Sequence, residues 1–80
     1  MADNIEIQRD THNPSMVFVT ATTEYGVTVH AAGRIRTRRG KPVVHLSVWE
    51  TEEGEPHDNP QLTKEATMSI KAFLHNEKIT

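Results

Sequence analysis

Residues 27–50, VTVHAAGRIRTRRGKPVVHLSVWE, decide the fold. Val27, Val29, Ala31 and Ile35 alternate with Thr28, His30, Arg34 and Arg36. After Arg38-Arg39-Gly40-Lys41 the alternation resumes, with Val44, Leu46 and Val48 set against Val43, His45, Ser47 and Trp49. A period of two is that of a half-buried strand, and the glycine-containing break between two such runs is a turn, so the stretch predicts one long antiparallel hairpin. With Arg39-Gly40 at its tip, Ile35 faces Val44, Arg34 faces His45, Ala31 faces Val48 and His30 faces Trp49.

Upstream, residues 16–23 are rich in Val, Phe and Thr and read as a strand, joined to the hairpin through Glu24-Tyr25-Gly26. Gly26 can take the positive φ that a three-residue loop needs at its last position. Residues 4–9 alternate polar and apolar and suit a short edge strand, ended by the turn-forming residues 10–15. Downstream, residues 51–60 have no periodicity and read as a solvated loop that ends the sheet. Asn59 then suits an N-cap and Pro60 the first helical position, and Leu62, Ala66, Ile70, Phe73 and Leu74 recur at helical spacing. The expected fold is α+β: an antiparallel sheet of three or four strands with one C-terminal helix across one face, a two-layer sandwich. At 80 residues it is a single domain with a thin core. Residues 1–3 and 77–80 are expected to be flexible.

One helix covers one face of such a sheet, so the residues of the other face carry the functional question. In the register above that face holds His30, Arg34, Arg36, Val43, His45 and Trp49, with Phe18 from the neighbouring strand. Two readings of Trp49 stand side by side: an exposed anchor flanked by arginines, as at protein interfaces, or core beneath the acidic loop. The charge pattern is polar along the chain. Arg34, Arg36, Arg38, Arg39 and Lys41 crowd one stretch; Glu50, Glu52, Glu53, Glu55 and Asp58 crowd the next.

The basic stretch suits recognition of an acidic protein surface or of phosphates, or serves as a charged turn that deters edge-to-edge association. A net charge of −2 gives no global attraction to nucleic acid. The acidic stretch does not follow the order of a calcium-binding EF-hand loop, and His57-Asp58 lacks further ligands at metal spacing, so no metal or cofactor is expected. No nucleophile is placed beside an oriented base, and no enzymatic activity is expected. The chain has no cysteine and no apolar run of membrane-spanning length; a cytoplasmic protein without membrane contact is the expectation.

In length, net acidity, lack of cysteine and sheet-then-helix layout, the chain resembles small phage- or mobile-element-encoded inhibitors, including anti-CRISPR proteins. The resemblance is one of size and architecture and transfers no residue. It implies a stoichiometric blocker of a host defence complex. The expected function is thus a non-enzymatic protein-binding module that docks through His30, Arg34, Arg36, Arg38, Arg39, Lys41, His45 and Trp49. A nucleic-acid-binding domain using the basic hairpin is the alternative, and a homodimeric structural component is a third.

Overall fold

A computed structural model describes residues 4–79, the side chains of 77–79 excepted. It contains strands β1 (Asn4–Arg9), β2 (Met16–Thr22), β3 (Thr28–Arg38), β4 (Lys41–Leu46), β5 (Trp49–Thr51) and β6 (Pro56–His57), followed by helix α1 (Pro60–Ile79). All pairings are antiparallel, in the order β1-β2-β3-β5-β6, with β4 also on β3. The layout is the expected α+β sandwich with a somewhat higher strand count. The increase has two causes: β4 and β5 lie end to end along the same side of β3, and β6 adds two residues. The ends expected to be flexible fall at 1–3 and 80, outside the described residues, and at 77–79, where the described backbone is helical.

Turn chemistry sets the frame. Gly26 has φ 81° in the loop closed by Thr23 N–H donating to Val27 O at 2.9 Å. At the second tip both Arg39 (φ 53°) and Gly40 (φ 78°) are left-handed, the type I′ geometry whose twist matches its flanking strands. That two-residue tip imposes the expected register from Arg38↔Lys41 through Ile35↔Val44 and Arg34↔His45 to Gly33↔Leu46. At the helix start Asn59 Oδ1 accepts from Leu62 N–H at 3.1 Å, the N-cap role read from its position before Pro60.

The register then changes by one. Beyond Ser47 the partners are His30↔Glu50 and Val29↔Thr51, so Ser47 and Val48 together stand opposite Ala32. This is a β-bulge. Ser47 serves both backbone groups of Ala32: its N–H donates to Ala32 O at 2.8 Å, and its Oγ accepts from Ala32 N–H at 2.9 Å. One extra residue exchanges the two faces for everything that follows. The expected pairs Ala31 with Val48 and His30 with Trp49 are therefore replaced. Val48 is turned out, 65% exposed, and Trp49 is turned in, 2% exposed.

Between sheet and helix, Val17, Val19, Ala21, Val29, Ala31 and Trp49 meet Leu62, Ala66, Ile70 and Leu74. The indole Nε1–H of Trp49 donates to Thr63 Oγ1 at 2.9 Å, and Thr63 donates in turn to Asn59 O at 3.2 Å, so the one polar atom of the ring is satisfied inside the core. Gly33 occupies a core-facing position where a Cβ would lie 2.9 Å from Val17 Cγ2 and 3.3 Å from Leu46 Cδ2. There the Val17 and Leu46 side chains of the two neighbouring strands close over β3, with Ile70 of α1 at 3.5 Å, so that only hydrogen fits.

Residues 51–57 also depart from expectation. They form a tight hairpin, not a loose loop: Thr51 N–H donates to Glu55 O at 2.8 Å, Gly54 turns with φ 84°, and Trp49↔His57 and Glu50↔Pro56 pair across it.

Candidate functional site

Among the described residues, the face of the sheet away from α1 has no covering layer. Its residues lie in rows across the strands, fixed by the registers. A central row runs Gln8, Phe18, Ala32, then the bulge residues Ser47 and Val48. Phe18 is 47% exposed. Because Ala32 is small, the row dips between Phe18 and Val48, and a shallow depression there is bordered by Thr20, His30 and Glu50.

On one side of this row stand Met16, Arg34 and His45, followed by Arg36 and Val43. On the other side stand Glu6, Thr20, His30 and Glu50. His30 Nδ1 lies 3.1 Å from Thr20 Oγ1. The face is thus apolar at its centre, cationic at one end and anionic at the other.

The cationic end continues into the tip of the β3–β4 hairpin. Arg36, Arg38, Arg39 and Lys41 are all exposed, and among the described residues none has a side-chain hydrogen bond or ion pair. Arg39 is unusual in its backbone as well. A left-handed conformation costs a non-glycine residue about 1 kcal/mol, and Asn, Asp or Gly normally takes that position. Turn geometry alone does not account for an arginine there.

Of the residues singled out from sequence, the structure brings His30, Arg34, Arg36 and His45 to the open face and Arg38, Arg39 and Lys41 to its basic end. Trp49 belongs to neither, and its assignment as an exposed anchor is overturned by the bulge. Glu50 shares the open face, while Glu52, Glu53, Glu55 and Asp58 are exposed on and after the β5–β6 hairpin. That hairpin lies beside the start of β3, about 26 Å from Arg38 along eight residues of strand. His57 and Asp58 border a separate cleft of about 220 Å³ with Tyr25, Asn59 and Leu62.

Val48 is the surface residue that alternation alone misses. Val48 is missed because a strict period of two assigns it to the core. Among the described residues no group of three or more histidine or carboxylate side chains is gathered as a metal site, and no helix is long and apolar enough to cross a membrane. No family model, curated protein or solved structure matches the chain.

Proposed function

We propose that this chain is a non-enzymatic protein-binding module that docks its basic hairpin arm, residues 36–41 with Arg34 at the root, against an acidic surface of another protein. The observation that carries the reading is the row of exposed, unpaired cations, with an arginine held in a left-handed turn position that does not favour it. Arginine's planar donor fork is suited to protein carboxylates, and Val43, the cross-strand neighbour of Arg36, adds apolar contact beside it. The acidic hairpin at the far end would repel a long polyanion lying along the sheet, which favours a compact acidic surface over a nucleic acid.

The resemblance in size and layout to small phage- or mobile-element-encoded inhibitors gives the reading its sharpest form: the partner is a host defence complex, blocked by occupancy of a surface. A nucleic-acid reading draws on one specific feature, the alternation of Arg34, Arg36 and Arg38 on one edge of a protruding hairpin.

The test is capture from nuclease-treated cell extract on immobilised protein, comparing the natural chain with a variant carrying Arg36→Ser, Arg38→Ser, Arg39→Ser and Lys41→Ser. Retention of an acidic protein is expected to weaken at least about 100-fold in the variant. Thermal stability should change little, because the replaced side chains are exposed. Retention seen only in extract not treated with nuclease, or binding of short DNA or RNA that falls about 10³-fold between 50 and 200 mM salt, would replace this reading with the nucleic-acid one.

A further inference from the structure

We infer that the open sheet face pairs with the same face of a second copy, about a twofold axis along the Phe18–Ala32–Val48 row. A one-sided apolar patch would serve any partner. This face has the additional property that its charges are arranged evenly about an uncharged line. Arg34 and His45 lie two residues to one side of the row on their strands, and His30 and Glu50 lie two residues to the other. Rotation about the row brings each side over its opposite.

Phe18, Ala32 and Val48 then meet their own counterparts, and the strands of the two sheets run antiparallel. His45 of each copy comes over Glu50 of the other and Arg34 over His30, with Glu50 one strand spacing, about 4.8 Å, to the side of Arg34 and within reach of its guanidinium, so each contact occurs twice. A closed isologous dimer requires such self-complementarity; a heterologous partner does not.

The size of the face agrees with a modest interface. Five strand positions at about 4.8 Å spacing and six residues at about 3.3 Å give a footprint of about 20 by 20 Å. With side-chain relief this reaches roughly 600 Å² per partner, the lower limit for specific association. It also covers Phe18 and Val48, which are 47% and 65% exposed in the single chain. The arms from Arg36 onward extend past the paired faces at opposite ends, so the inference shares only Arg34 with the proposed docking arm and Val48→Glu tests it apart from that arm.

The test is sedimentation equilibrium from about 10 μM to 1 mM. The mass should rise from the 9.0 kDa of one chain toward twice that value. Val48→Glu sets a carboxylate against its own copy and should weaken the dimer about 100-fold. Arg34→Glu and Glu50→Arg should each weaken it about tenfold or more, and the two combined should restore it, because the pair is re-formed with its signs exchanged. Circular dichroism melts establish that each variant is folded. A constant single-chain mass over the whole range would overturn the inference. So would a dimer indifferent to Val48→Glu, or a double variant no better than the singles.

Discussion

Replacing Trp49 with alanine is expected to remove about 3–5 kcal/mol, a large share of the stability of the domain. The indole is 2% exposed and fills the space between the sheet and the first turns of α1, against a core that otherwise has only aliphatic side chains among its buried members. Deleting a buried Trp side chain costs about 3–5 kcal/mol through lost transfer energy and the cavity left behind. An 80-residue domain has only about 4–12 kcal/mol in total. Trp49→Phe retains most of the bulk but removes the donor to Thr63, and should cost about 1–2 kcal/mol. Urea unfolding followed by far-ultraviolet circular dichroism measures both. An exposed interface tryptophan would behave differently: alanine there would shift stability by less than about 0.5 kcal/mol.

Gly33→Val should be nearly as damaging, for the opposite reason. The site has no room: the first added carbon would already press on Val17, and Leu46 and Ile70 lie within 3.5 Å of it. Valine's two methyl groups would displace the Val17 and Leu46 side chains and press on Ile70 of α1, and overpacking of this kind costs up to about 3 kcal/mol. The backbone at Gly33 is ordinary strand, so the effect isolates core packing from turn geometry. A midpoint in urea unchanged from that of the natural chain would mean that the Val17 and Leu46 side chains do not close over Gly33.

The elements that could be read in the sequence are those where local pattern and tertiary demand coincide. Alternation located β1 to β4, the Asn59-Pro60 pair located the start of α1, and the Arg39-Gly40 tip held the register correctly as far as Leu46. Reading failed at Ser47, because a bulge is a count of one residue and leaves alternation on either side intact. The side chains on the helix side run Val44, Leu46, Trp49, Thr51, with steps of two, three and two.

Two physical cues favoured that break. The Ser47 hydroxyl can replace a ladder carbonyl as acceptor, and a small domain cannot leave its largest apolar side chain outside while Ala31 and the start of the helix lie uncovered. The β5–β6 hairpin escaped for another reason. Two residues, one of them proline, carry no periodicity, and Gly54 among glutamates was its only mark. Of the candidate site, the basic end was legible as a charge run and Phe18 by alternation, whereas Val48 depended on the bulge and was not.

Because Trp49 is the only tryptophan, its fluorescence reads the bulge directly. In the folded protein its emission should be blue-shifted and weakly quenched by acrylamide, and both properties should change together across the urea transition as the indole enters water. That result places Trp49 beneath α1 and leaves the open face to Phe18, Ala32 and Val48 and the docking role to the arginine arm. Emission characteristic of a solvated indole in the folded protein, with quenching as strong as in urea, would contradict the register change at Ser47 and with it the account of both faces.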